Sequence, residues 1–454
     1  MEKNNNSEKL IIVIEVGSTL TKATAFTISE GKIQAFLGKG YALTTVKIGD
    51  VAEGLKNALE DLVYKAKIQS LDKAVLLGNS SAAGGLRMTV HGLVPEMTAK
   101  AAKEAALGAG AVVKMVTSGT LREEDLKKIE EVFPKLMLLA GGVDYGESEV
   151  IVQNAQLISR LKIKVPIIYA GNIAVKNEVS QILETRGFKV YPTENVYPRL
   201  DELNIEPVKK IIQKAFEEHI TEGPGMYSIK DWISGVLLPT PAAVMNAFQL
   251  LSNVLGDVMG FDVGGATTDV HSVTEGDEEL KKITPYPEPK SKRTVEGDLG
   301  VYLSANQVID LFEGAEKEDL LARISHISPL SKKQEEIAVT SKITQKAVET
   351  ALLRHVGEIR YVMSPTGRGT YVWGKDLTRV KWVIGTGGAL VFLPGMKQFL
   401  QSLFNRPSSR LLLPNNPEVL IDNNYLLSSI GTLARYQFID KESLANFALS
   451  NLIN

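Results

Sequence analysis

The sequence predicts an α/β protein in which one strand–turn–strand unit is written twice. Residues 14–23, IEVGSTLTKA, align without gaps on residues 261–270, FDVGGATTDV. Glu15 falls on Asp262, Val16 on Val263, Gly17 on Gly264, Ser18 on Gly265 and Thr21 on Thr268. Between the copies, residues 135–199 alternate short apolar runs with segments of helical period, the β-α-β-α-β rhythm of a parallel sheet. The chain has 454 residues, 44% apolar and 23% charged, enough for two to four domains with ordinary globular cores.

The elements follow in order. Residues 1–9 read as a polar tail. Residues 10–16 are an apolar run stopped by a glycine, and the alternation of 21, 23 and 25 with polar neighbours predicts a returning strand, hence a β-hairpin. Residues 50–67 have helical spacing with Asp50 as N-cap. Residues 74–78 form a short buried strand that breaks into the glycine-rich NSSAAGGLRM, and the Ala-rich residues 98–116 predict a helix. From residue 136 the order is strand (LMLLAGG), helix 149–161, strand (VPIIYAGN), helix 175–185, strand (FKVYPTENV). GPGMYS near Gly223 is a turn signal. Residues 240–255 predict a helix with proline in its first turn, where the missing N–H costs nothing. It feeds the strand that opens the second hairpin. Residues 275–294 read as a polar loop, 303–322 and 331–353 as helices, 381–385 as a strand, and 423–438 as an amphipathic helix before a final helix or tail. The domain reading is a first lobe at 10–134, an inserted α/β unit at 135–235, and a connecting helix with a second lobe at 236–454.

Composition excludes several classes of function. The chain has no cysteine, so disulfides and thiolate chemistry are ruled out, which fits a reducing cytoplasm. Its five histidines show no i, i+4 pair and no HExxH, so no zinc site is expected. The formal charge is −2 with no long basic run, which points away from nucleic acid and anionic membranes. No stretch approaches the roughly 20 apolar residues of a membrane span, and the N-terminus lacks the pattern of a signal peptide.

The repeated hairpin carries chemistry. A glycine turn lets the backbone approach a ligand closely and aims N–H groups at anionic oxygens. Thr and Ser hydroxyls at 18, 19, 21, 267 and 268 add donors. An acid beside such a turn would repel phosphate, but it suits a hydrated magnesium ion, which takes few carboxylates and keeps several waters. Glu15 and Asp262 are therefore the candidate metal residues. Gly17, Ser18, Thr19, Thr21, Lys22, Gly264, Gly265, Thr267 and Thr268 are the candidate phosphate contacts. A third element, WVIGTGGAL at 382–390, is a strand followed by G-T-G-G opening a helix. It places Gly385, Thr386, Gly387 and Gly388 against a nucleotide's base or phosphates. It lacks the full spacing of a dinucleotide fingerprint.

In order and spacing these motifs resemble the actin/hexokinase/heat-shock-chaperone ATPase superfamily. Residues 15–22 match its first phosphate motif, 240–254 its first connecting helix, 261–270 its second phosphate motif, 385–389 its adenosine motif and 425–434 its second connecting helix. The resemblance implies two actin-like, ribonuclease H-like lobes, one hairpin in each, with ATP and magnesium between them. NSSAAGGLRM, AKEAALGAGA, LLAGGVDYGE, IIYAGN, GDVMGFDVGGATTDVHSV and RTVEGDLG look more specifically like the GlmL/MutL family, accessory proteins of adenosylcobalamin-dependent glutamate mutase and related aminomutases. That resemblance implies a weak, ATP-driven, chaperone-like reactivase that releases damaged cobalamin. Its implied partners are mutase or aminomutase subunits, with a homodimer as a further assembly open to it.

Two departures from the superfamily stand out. Glu15 replaces the usual Asp, pushing the carboxylate forward by one methylene, and Thr240 stands where the heat-shock pattern has a water-positioning Glu. The general base is therefore open among Asp144 and Glu147 in the loop after LMLLAGG, and Glu296 and Asp298 in RTVEGDLG. A small-molecule kinase on the same fold would need an Asp-x-Gly-x-x-Arg base, and DLGVYL comes nearest but lacks the Arg. A hydantoinase/oxoprolinase-like enzyme shares a turn like GGATTD, though no substrate amide site is legible.

Overall fold

The computed structural model describes residues 8–17, 19–45, 51–81, 86–200, 202–220, 232–235, 237–286, 288–325, 333–364, 367–405, 408 and 410–453. Ser18, Asp50, most of the N-terminal tail and the turn signal near Gly223 lie outside these residues. The chain forms two compact units: Met1–Ala82 with Pro224–Pro285 and Lys290–Asn454, and Ala83–Gly223 with Tyr286–Pro289.

The first unit contains two five-stranded sheets of the same topology. In one, β1 (Lys9–Val16) pairs antiparallel with β2 (Leu20–Ser29), which pairs antiparallel with β3 (Lys32–Leu43). On its other edge β1 pairs parallel with β4 (Val75–Ser80), and β4 with β10 (Leu237–Pro239). The other sheet repeats the arrangement: β11 (Val258–Val263), β12 (Thr268–Val273) and β13 (Ser291–Glu296) are antiparallel neighbours. β11 also pairs parallel with β16 (Trp382–Thr386), and β16 with β17 (Glu418–Ile421). Both sheets thus have the order third, second, first, fourth, fifth. The fold is a mixed α/β fold of the actin-like class, with one ribonuclease H-like sheet per lobe.

Two helices tie the lobes together. Thr240–Leu255 is buried nearly all round, with Ala243, Phe248 and Leu251 at 0% exposure, so packing on every side holds it rather than one amphipathic stripe. Leu427–Leu433 is buried at all seven positions and crosses it in backbone contact. A Cβ added at Gly431 would sit 1.6 Å from the carbonyl oxygen of Ala243, so only glycine permits this approach. Residues from both lobes, including Phe26, Leu77, Phe248, Leu251, Ile384 and Leu433, share one core around these helices.

The second unit holds a wholly parallel sheet of β5 (Arg87–Gly92), β6 (Val112–Ser118), β7 (Leu136–Leu139), β8 (Ile167–Tyr169) and β9 (Val190–Pro192), in the order β6-β5-β7-β8-β9. This is a doubly wound order with the reversal between β5 and β7. β5 and β6 lie upstream of position 135, where the sequence reading opens the insert.

Several elements differ from the sequence reading. The segment 98–116 is a π-turn, Pro95–Ala99, then a helix, Lys100–Gly108, and then β6. Gly110, at φ +91, ends the helical path, and the β-branched residues beyond it extend. Residues 275–294 contain a short helix, Glu278–Lys281, and the start of β13, whose polar residues gain their ladder from β12. The 303–322 helix is two, Ala305–Ile309 and Gly314–Ile324, separated by residues 310–313 ahead of Gly314 at φ +60. The 423–438 helix shortens to Leu427–Leu433 and is buried rather than amphipathic. A hairpin of β14 (Glu358–Ser364) and β15 (Gly367–Trp373) and the helix Glu206–Ile220 carry no sequence expectation. Among the described residues no helix is long and apolar enough to cross a membrane.

Candidate functional site

The two hairpin turns face one another across a cavity of about 390 Å³. Each turn closes through the same backbone bond: Gly17 N–H donates to the Leu20 carbonyl at 3.0 Å, and Gly264 N–H to the Thr267 carbonyl at 2.9 Å. A Cβ added at Gly265 would lie 3.4 Å from Thr19 Oγ1, so the opposed turns nearly touch. The cavity is walled further by Thr240 and Pro241 at the head of the connecting helix, by Tyr302, by Thr340, and by Gly388, Phe392 and Tyr425.

Of the residues singled out by sequence, Glu15, Gly17, Thr19, Lys22, Asp262, Gly264, Gly265, Thr267 and Gly388 line this cavity. Thr21 is buried behind the first turn against Thr44 Oγ1 at 3.0 Å, and Thr268 donates to the Leu299 carbonyl at 2.7 Å. Gly385 packs under Ile421, Leu400 and Leu390, and Thr386 donates to Asp422 Oδ2 at 2.9 Å. Gly387 holds φ +87 with its backbone pressed on Val263. A Cβ there would meet Val263 N and O at 2.4 Å and Asp262 Oδ1 at 2.7 Å, so this glycine leaves room for the Asp262 carboxylate. Glu296 and Asp298 are held by Arg354, at 2.6 and 2.8 Å. Asp144 and Glu147 belong to the other unit. There Asp144 accepts from Ile173 N and Asn195 Nδ2, each at 3.0 Å, and Glu147 accepts from Val150 N at 2.9 Å. Neither pair lines the cavity.

The charges of the two hairpins are arranged differently. Glu15 stands directly opposite Lys22 in the β1–β2 register, and Asp262 directly opposite Asp269 in β11–β12. Opposed residues on one face are near neighbours, so the first pair attracts and the second repels. Lys22 Nζ lies 2.5 Å from Glu15 Oε1, with the two residues only 3% and 5% exposed. The other Glu15 oxygen accepts from Ser428 Oγ. Burial opposes both charges, but each holds the other: Glu15 titrates below the usual carboxylate range, and Lys22 stays charged well above the usual range of an amine. The Tyr425 ring caps this ammonium at 3.6 Å. Lys39, buried on β3, donates to the Tyr425 carbonyl, and burial followed by the neighbouring Lys22 lowers its pKa to about 7.

In the second hairpin Asp269 is ion-paired to the buried Arg293 at 3.3 Å. Asp262 faces the cavity, and among the described residues no side chain hydrogen-bonds or ion-pairs with it. Its enclosure by protein, then Asp269 and Glu15, raise its pKa to about 7. Among the described residues no three His, Cys, Asp or Glu converge as a ready metal cage. One open carboxylate beside a phosphate-sized turn nevertheless fits magnesium, which completes its shell with waters and substrate oxygens.

Sequence reasoning missed Lys39, Arg293, Asp269 and Tyr425 as parts of this site. The alignment of the hairpins did set Lys22 against Asp269, which was the available signal. Nothing local marks Lys39 or Arg293.

The family model described as MutL protein matches residues 11–446. The chain belongs to the MutL protein family. It is 38% identical over 447 residues to Protein MutL of Clostridium tetanomorphum, covering 93% of this chain and 95% of that one. Among solved structures, a nucleotide-free acetone carboxylase is similar at 14% identity and a TM-score of 0.42, over 94% of this chain and 70% of that one. A diol dehydratase-reactivating factor in nucleotide-free form is similar at 11% identity and a TM-score of 0.37, over 94% and 99%. The fold of this family member is read from its own duplicated sheets.

Proposed function

We propose that the chain is an ATP-driven reactivating factor: it binds ATP with magnesium in the cavity between the facing hairpins and couples hydrolysis to release of damaged cobalamin from an adenosylcobalamin-dependent mutase. The observation that carries this reading is the pair of acid-bearing turns opposed across one cavity. Gly17, Thr19, Gly264, Gly265 and Thr267 would cradle the phosphates, and Gly388 at the start of a helix would meet the nucleoside side. Magnesium, when bound, would neutralise phosphate charge as the γ-phosphoryl leaves. Asp262 would anchor it, and a water held at this wall would add to the γ-phosphorus as the bond to the β–γ bridging oxygen breaks, releasing ADP and phosphate. Thr240 donates to Asn79 Oδ1 at 2.7 Å and supplies no carboxylate, so turnover is slow. Opening of the lobes about the crossing of Thr240–Leu255 with Leu427–Leu433 passes the change to the partner.

The α/β unit is the docking module in this reading. Tyr145, 82% exposed at φ +62, and Ile173, 47% exposed, stand together on loops braced by the Asn172 side chain, which accepts from Tyr145 N at 2.9 Å and Ala174 N at 3.0 Å.

Two assays test the proposal. Calorimetry of the purified chain should show magnesium-dependent ATP binding. An inactivated adenosylcobalamin mutase should regain activity when given this protein, ATP and fresh cofactor. Absence of ATP binding removes the reading. ATP binding without reactivation of glutamate mutase or a related aminomutase removes the cobalamin role and leaves the ATPase.

A further inference from the structure

The duplication extends one strand beyond the hairpins. β3 sets Lys39 opposite Thr24, two residues past Lys22, and β13 sets Arg293 opposite His271, two residues past Asp269. The two lobes therefore carry equivalent triads, Glu15, Lys22 and Lys39 against Asp262, Asp269 and Arg293, all buried except the half-buried Asp262. The first has one acid to two bases and the second two acids to one base. Their excess charges are opposite in sign, and the hairpin members Glu15, Lys22, Asp262 and Asp269 line the same cavity.

We propose that the two hairpins have divided the nucleotide between them. The first is a cation clamp for phosphate, in which Glu15 positions Lys22 instead of holding metal. The second is the metal side, anchored by Asp262 alone. This rests on the ATP reading above and assigns its parts.

Both Glu15 oxygens are already committed, one to Lys22 Nζ and one to Ser428 Oγ. A metal at Glu15 would have to displace an ammonium and a hydroxyl from a buried site. The length of Glu15 has a use here, because it spans the strand pair to reach its cross-strand partner. A shorter Asp would leave Lys22 unheld. Ser428 belongs to the second connecting helix and Tyr425 lies just ahead of it, so that segment holds Lys22 directly through the Tyr425 ring and indirectly through the Ser428 bond to Glu15. Asp262 has the reverse setting: its opposite residue repels it, Arg293 is spent on Asp269, and its carboxylate is open to the cavity.

The test separates ATP binding from metal binding in the full-length chain. ATP affinity is measured by calorimetry in chelator. Manganese(II), standing in for magnesium, is titrated by electron paramagnetic resonance with ADP present. Lys22→Met and Glu15→Asp should each weaken metal-free ATP binding by about 10- to 100-fold and change manganese affinity by no more than about twofold. Asp262→Asn should do the opposite, costing about 10- to 100-fold in manganese affinity. The double variant Glu15→Gln with Lys22→Met, which removes the Lys22 ammonium together with its acid, should fold and keep its manganese affinity. If Glu15→Asp, which restores the superfamily's acid, binds ATP like wild type, or if either Glu15 variant loses manganese as Asp262→Asn does, the division is wrong while the ATP reading survives. If wild type binds no nucleotide, both fall.

Discussion

The β1–β2 and β11–β12 hairpins share turn, register and sheet position, yet they hold their charges in opposite ways. In the first an acid faces a base and the two are paired at the cavity wall. In the second an acid faces an acid, one is drawn off by Arg293, and the other is left open. Backbone geometry is thus the inherited part of the duplication. What each lobe can bind is set by side chains at positions the backbone leaves interchangeable.

The comparison breaks most visibly if the buried pair is cut. Glu15→Gln strands the Lys22 ammonium and should destabilise the protein by about 3–5 kcal/mol, read by chemical denaturation. Adding Lys22→Met should recover most of that loss. Equal stability of the single and double variants would mean the first triad is not a coupled unit. Next in size, Asp262→Asn should slow magnesium-dependent hydrolysis by about 10²- to 10³-fold in a phosphate-release assay, with folding intact. An active Asp262→Asn would deny the second hairpin its metal role. Gly387→Ala puts a methyl on Val263 and the Asp262 carboxylate, and should cost about 1–3 kcal/mol together with metal affinity, leaving metal-free ATP binding near wild type.

The pH dependences of the two sides oppose one another. Asp262 titrates near 7 in the fold against about 4 unfolded, so the folded state binds more protons in that window. Its contribution to apo stability falls as pH rises from about 4 to about 7. Lys39 titrates near 7 in the fold against about 10 unfolded, so here the unfolded state binds more protons, and stability rises from about pH 7 to about pH 10. Below neutrality the buried His91, His271 and His355, all with lowered pKa, act against the Asp262 contribution, so each contribution is read as the difference between a variant and wild type. Across pH, the urea midpoint of Asp262→Asn relative to wild type should rise between about pH 4 and 7, and that of Lys39→Met relative to wild type should fall between about pH 7 and 10.

The legible parts of the molecule are those with local signals. The two turns, the strands Lys9–Val16 and Val258–Val263, and the helix Thr240–Leu255 read from apolar runs, glycines and a proline in the first turn. The strands β3 and β13 did not read as partners, because Lys32–Leu43 and Ser291–Glu296 carry charged residues whose burial comes from distant elements. Lys39 and Arg293 were invisible for the same reason. The Ala-rich run at 98–116 misled because alanine favours helix locally, while β5 supplied a strand partner that no local window contains.

By itself the sequence determined the duplication, the acid at each turn, the order of the phosphate and adenosine motifs and the family they resemble, since these depend on residue type and short spacing. Only the tertiary structure decided which acid is open. The charge state of a carboxylate depends on what lies within a few ångströms of it, and for Glu15 and Asp262 those neighbours arrive from other strands and, for Glu15, from residue 428 far along the chain.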